Sequence, residues 1–155
     1  MSDPAAGRML RAMPVLQVRD VKASEAFYCD ALGFASHGTW GAPPVFAIVQ
    51  RGHVTIALDQ SRDGSAPPRQ QYWSAYLYVA DADAMLAEVQ RSGVSVARDI
   101  ETSDYGCRDF DIRDPDGHIL GIGHVIAPGP MGPGLDAGSL GRDGEGGSGK
   151  RGGLA

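Results

Sequence analysis

A Val-x-Asp tripeptide, a helix-length segment and a glycine occur in that order twice in this chain. The first copy runs from Val18-Arg19-Asp20 to Gly33 and the second from Val79-Ala80-Asp81 to Gly93, with the two aspartates 61 positions apart. Each tripeptide closes an alternating run, PVLQVR at 14–19 and SAYLYV at 74–79, that reads as a strand. Aspartate accepts readily from the free N–H groups of a first helical turn, and glycine tolerates the left-handed conformation that ends one. The first helix is predicted over Val21–Leu32, with a narrow apolar stripe of Ala23, Ala26 and Phe27. In the second, Ala82, Met85, Leu86 and Val89 recur at helical spacing. A repeated strand–helix order constrains a fold more than any single motif, because both copies must solve the same burial problem.

The segments after the two helices are again similar. Phe34–Trp40, Val45–Gln50 and Val54–Asp59 are strand-like, with Gly41-Ala42-Pro43-Pro44 and Arg51-Gly52-His53 as turns. After the second helix come a short strand, Val94–Ala97, and a hairpin within Tyr105–His124. Its turn is Asp114-Pro115-Asp116-Gly117: Pro115 presets φ, Asp114 can accept backbone N–H groups, and Gly117 tolerates the closing geometry. The expected fold is therefore α+β, two βαβββ units over 13–59 and 73–126 joined by a polar linker 60–72, forming a curved eight-stranded sheet in one domain, 13–127. Residues 1–12 are expected to be a flexible leader. Residues 128–155 contain eleven glycines and only Met131, Leu135, Leu140 and Leu154 as large apolar side chains, so a disordered tail is expected.

Composition narrows the function. The net charge is −5 and the isoelectric point near 5.2, which disfavours nucleic acid and anionic membranes as partners and leaves room for a cationic small molecule. The acidic excess belongs to the expected domain, since Arg142, Lys150 and Arg151 balance Asp136, Asp143 and Glu145 in the tail. No apolar run reaches the roughly 18 residues that suggest a membrane span. The first residues lack the apolar core of a secretory signal, and Cys29 and Cys107 form no CxxC pattern, so a cytoplasmic protein is expected.

The segments PVLQVRDVKASEAFYCDALGF and YGCRDFDIRDPDGHILGIGH, in this order and spacing, resemble the glyoxalase / bleomycin resistance / extradiol dioxygenase superfamily, also called vicinal oxygen chelate proteins. The similarity spans roughly 13–126 and is nearest to the bleomycin-resistance branch. It implies the two-unit fold just described. Enzymes of the superfamily hold one divalent metal with His, Gln or Glu from four strands, and the corresponding positions here are Met13, Ala57, Ser74 and Gly121. None suits a hard or borderline divalent ion. No metal and no other cofactor is expected.

If those positions face the concave side of the sheet, so do their i±2 neighbours: Val15, Gln17, Thr55, Asp59, Tyr76 and Tyr78, joined by Asp109 and Asp111. The opposite set, Leu16, Val18, Ile56, Leu58, Leu77, Val79, Leu120 and Ile122, is wholly apolar and reads as helix-facing. Trp40, Phe46, Trp73 and Tyr105 lie near strand ends at a groove rim, with Trp73 expected at a dimer interface. The candidate ligand-binding residues are Trp40, Phe46, Asp59, Tyr76, Tyr78, Tyr105, Asp109 and Asp111, since tyrosine faces and carboxylates suit a cationic, partly aromatic molecule. His118 and His124 are expected at the edge of the core, His53 in a turn and His37 exposed. The leading expectation is a non-catalytic homodimer, with or without strand swapping, that sequesters a cationic antibiotic of the bleomycin type or a similar ligand. The alternative is a glyoxalase- or dioxygenase-type lyase or oxidoreductase of the same fold, or one using Asp59 or Asp111 as a base.

Overall fold

The computed structural model describes residues 5–129; the rest of the Gly-rich segment, from 130 onward, lies outside the described residues. Both halves repeat one plan. The first consists of β1 (Val15–Val18), α1 (Val21–Ala26), β2 (Ala35–Trp40), β3 (Phe46–Arg51) and β4 (Val54–Gln60). The second consists of β5 (Trp73–Tyr78), α2 (Ala82–Arg91), β6 (Val96–Thr102), β7 (Cys107–Arg113) and β8 (Ile119–Val125). The eight strands divide into two four-stranded sheets, ordered β1-β4-β3-β2 and β5-β8-β7-β6. In each sheet the first strand pairs parallel to the fourth, and the other pairs are antiparallel.

The repeated aspartates do the same work in both copies. Asp20 Oδ1 accepts from Ala23 N at 3.0 Å, and Asp81 Oδ1 from Ala84 N at 3.1 Å. Each satisfies an N–H that has no partner within the helix. The first helix departs from the prediction: after Ala26 it widens into a π-helical turn, Phe27–Ala31. The wider turn accompanies full burial of Tyr28, whose hydroxyl donates to Asp114 Oδ2 at 2.9 Å. β6 also runs five residues beyond the expected end at Ala97.

The helix-facing set predicted from strand alternation forms one core with Tyr28, Phe110 and Ile112, shared by both units; only Val79 of that set is partly exposed. The units are further joined at their hairpin tips. From the second unit, Asp116 Oδ1 accepts Arg19 N at 2.9 Å, and His118 Nε2 lies 2.7 Å from the carbonyl of Gln17. That carbonyl can only accept, so Nε2 carries the proton, and in the neutral ring Nδ1 takes the Ser74 hydroxyl at 3.1 Å. From the first unit, Arg51 makes a two-bond contact with Glu88 of α2 at 2.8 and 2.9 Å. His118 thus has a structural place at the core edge, and His124 caps α2 by accepting Ala82 N at 3.0 Å. His37 and His53 are exposed. Among the described residues no helix is long and apolar enough to cross a membrane.

Candidate functional site

The second sheet gathers most of the predicted residues around one buried carboxylate. Asp109, on β7, is 0% exposed and has four partners. Its Oδ1 accepts from Arg98 Nη2 at 2.9 Å and the Ser103 hydroxyl at 3.1 Å, and its Oδ2 from the hydroxyls of Tyr105 at 2.6 Å and Tyr76 at 2.9 Å. Asp111, two residues along the same face, accepts from Arg98 Nε and Nη2 and from the Trp73 indole N–H, all at 2.9 Å. Arg98 Nη1 reaches the exposed Glu101 at 2.9 Å. Burial pushes the Asp109 carboxyl up, but the bonds from Tyr105, Arg98 and Tyr76 outweigh it and hold the group below the usual carboxylate range. Bonding to Asp111 and Asp109 raises the guanidinium, and burial with Asp109 raises the Tyr105 phenol.

The rings attached to these polar tips form a continuous cluster. Trp73 and Tyr76 have centroids 4.8 Å apart, Trp73 and Tyr105 6.2 Å, and Tyr76 and Tyr78 5.0 Å, all edge-to-face. They lie across β8, where two glycines make room. A Cβ at Gly121 would fall 2.6 Å from Tyr76 Cδ2 and 2.8 Å from Trp73 Nε1, and one at Gly123 would overlap the Tyr76 hydroxyl. The polar tips anchor the rings.

Two members were not foreseen in these roles. Trp73, expected at a dimer interface, belongs to the cluster because β5 slips register between Trp73 and Ala75, and Ser74 is the extra residue. Strict alternation would set Ser74 beside Tyr76; the slip turns it to His118 and brings Trp73 to the concave side. Arg98 was missed because the expected strand ended at Ala97. The signal was there in VARDIET, where an Arg stands among alternating residues with two aspartates facing it from β7.

Trp40, Phe46 and Asp59 sit on the first sheet, and among the described residues no hydrogen bond, ion pair or ring contact joins them to the Asp109 cluster. The Trp40 and Phe46 rings meet at 5.7 Å, and Phe46 lies opposite Asp59 in the β3–β4 ladder. The superfamily ligand positions do not fit a divalent ion. Met13 offers an exposed thioether, Ala57 a buried methyl, Ser74 a hydroxyl already bonded to His118, and Gly121 no side chain beneath two rings. Among the described residues no group of three His, Cys, Asp or Glu could hold a metal.

Comparison with known sequences decides the family: the pattern of the Glyoxalase/Bleomycin resistance protein/Dioxygenase superfamily matches residues 9–122. The chain belongs to that superfamily. No curated protein matches it. Among solved structures, it is 27% identical to the bleomycin-binding protein of bleomycin-producing Streptomyces verticillus in complex with copper(II)-bleomycin, with a TM-score of 0.61 over 76% of this chain and 97% of that one. A bleomycin resistance determinant encoded on the transposon Tn5 matches at 21% identity and a TM-score of 0.64, over 76% and 98%. A virulence protein from Salmonella typhimurium matches at 22% and 0.57, over 77% and 99%. The fold is thus that of the glyoxalase/bleomycin resistance group, which accounts for two sheets built on one repeated plan.

Proposed function

We propose that the concave face of the second unit binds a planar, partly aromatic, positively charged small molecule without turning it over, as a bleomycin-type antibiotic or similar compound would be held. The observation that carries this reading is the ring cluster: Trp73, Tyr76 and Tyr105 are all pinned at their polar ends by Asp109 and Asp111. Rings fixed before binding lose little freedom when a planar ligand stacks on them. Three carboxylates surround one guanidinium, so the cluster keeps a negative excess that attracts a cation. The likeness to the Streptomyces verticillus protein, which is seen with copper(II)-bleomycin, supports the same ligand class.

Catalysis by the face carboxylates has less support. Asp111 already accepts three bonds from Arg98 and Trp73, and Asp109 is held ionised with four partners, so neither is placed to collect a proton. We further propose a cytoplasmic homodimer that works without a metal. Val15 and Trp40 are 56% and 50% exposed on the first sheet, and a partner's face over them would complete a groove from both kinds of sheet.

The test is calorimetric titration with metal-free and copper(II)-bleomycin at two salt concentrations, alongside sedimentation. Binding is expected to weaken as salt rises, because exposed charges are screened over roughly 8–10 Å at physiological ionic strength. Trp73→Ala should cost about 1–3 kcal/mol of binding if the ring is a buried anchor. Absence of binding, binding unchanged by Trp73→Ala, or conversion of the ligand would each overturn the ligand reading. A purely monomeric species would remove the dimer.

A further inference from the structure

The four rings of the concave face are not parallel. Tyr76 is turned 63° from Trp73, Tyr105 83° from Trp73, and Tyr78 60° from Tyr76. A flat group can therefore lie along one of these rings but not along all of them, whereas a rounded group set in their angle can touch several. The rings are within reach of solvent: Trp73 is 37% exposed, and Tyr76, Tyr78 and Tyr105 are each partly exposed. There is also room beside two of them, since Tyr76 and Tyr78 line a cavity of about 920 Å³.

The polar groups at the ring tips attract a cation but leave few places to bond one. An ionised carboxylate has about four acceptor positions. Asp109 has four partners, and Asp111 accepts three bonds. Glu101 keeps most of its positions, but its side chain is 61% exposed, and a bond made there only displaces water. A primary ammonium brings three N–H donors and a guanidinium five, so most of them would lose water without finding an acceptor. A fully alkylated ammonium has no N–H to satisfy, and the face of an aromatic ring attracts it directly. The phenols of Tyr105 and Tyr76 donate to Asp109 and share in its negative charge, which strengthens that attraction. Resting on the reading of this face as a cation site, we propose that the charge it selects is a tetraalkylammonium or related onium group, seated in the angle of the Trp73, Tyr76 and Tyr78 rings, and not a cation that donates hydrogen bonds.

The probes are benzyltrimethylammonium, benzylammonium and the neutral benzyl alcohol, titrated into the full chain by calorimetry. Benzyltrimethylammonium should bind at one per chain and about tenfold more tightly than benzylammonium, and benzyl alcohol should give no saturable heat. Tyr78→Leu, which removes one ring, should weaken the onium about tenfold, while Tyr78→Phe, which keeps the ring, should stay within about twofold. Equal affinity for the two cations, or equal loss in Tyr78→Leu and Tyr78→Phe, would overturn the proposal. Copper(II)-bleomycin, titrated in parallel, separates this inference from the reading beneath it. Its binding without any preference for the onium would leave the antibiotic reading and remove the onium seat. Onium binding without it would keep the seat and remove the antibiotic, and no binding by any cation would remove both. If Tyr78→Leu does not fold, the three probes on the unaltered chain decide.

Discussion

The two sheets share strand order and helix capping, yet their concave faces are opposites. On the first, the Trp40 and Phe46 rings meet edge-to-face, and among the described residues neither the Trp40 indole nor the Asp59 carboxylate makes a side-chain hydrogen bond. On the second, each polar tip of the Trp73, Tyr76 and Tyr105 rings is bonded to an aspartate, and both aspartates are bonded to Arg98. Past the slip in β5 the pairings correspond: Ala57 of β4 lies opposite Val15, and Gly121 of β8 opposite Tyr76. The difference is one of volume and charge. Ala57 keeps its methyl where Gly121 gives way to two rings, and β6 carries an arginine with no counterpart facing the first sheet. A repeated frame therefore sets where a face can be, and a handful of side chains sets whether that face is rigid before a ligand arrives.

The sharpest way to break the comparison is to remove the centre of the rigid face. Asp109→Ala leaves the hydroxyls of Tyr76, Tyr105 and Ser103 without their acceptor and removes one of the three carboxylates around Arg98. It should cost about 3 kcal/mol, toward the low end for a broken buried pair because Arg98 is partly exposed. Asp59→Ala, the matching change on the open face, should stay within about 0.5 kcal/mol. Urea unfolding of both variants is the check, and equal effects would erase the distinction.

Next in size is Gly121→Ala, which gives the second sheet the residue of the first. The new Cβ would meet Tyr76 and Trp73, and overpacking of this kind costs about 1–3 kcal/mol. Near-ultraviolet circular dichroism should show the rings displaced. Ala57→Gly should leave that spectrum unaltered.

Acid separates the face from the turn. The Asp109 carboxyl is depressed in the folded protein, so its contribution is present above about pH 4 and is lost as pH falls through its lower folded value. Burial raises Asp114, so its contribution has the opposite sign: present below about pH 4 and lost as pH rises through its higher folded value. Asp109→Asn should flatten the loss of stability in acid, and Asp114→Asn should steepen it. Unfolding measured between pH 3 and 7 would show the two slopes moving together if this assignment is wrong.

The smallest effect expected is from Trp73→Phe, which keeps a ring but removes the donor to Asp111. It should cost about 1 kcal/mol. Trp40→Phe removes no bond and should be neutral in the same denaturation experiment.

By itself, the sequence determined the frame of this protein. Val-x-Asp, helix and glycine in duplicate, with period-two alternation in the flanking strands, were enough for two βαβββ units, two helix caps and nearly all of the core-facing set, because these features depend on neighbours a few residues away. It also placed Tyr76, Tyr78, Asp109 and Asp111 on one face. Tertiary structure decided what that face is. Whether an aspartate faces solvent or sits at 0% exposure under two tyrosines depends on an arginine eleven residues earlier on another strand. Whether Trp73 or Ser74 joins it depends on a register slip that shows only when β5 is paired with β8. The π-helical turn that buries Tyr28 likewise accompanies a bond to Asp114, 86 residues away. Strand alternation is local, whereas charge pairing and ring packing are set by distances across the fold, and those exist only once the chain has closed on itself.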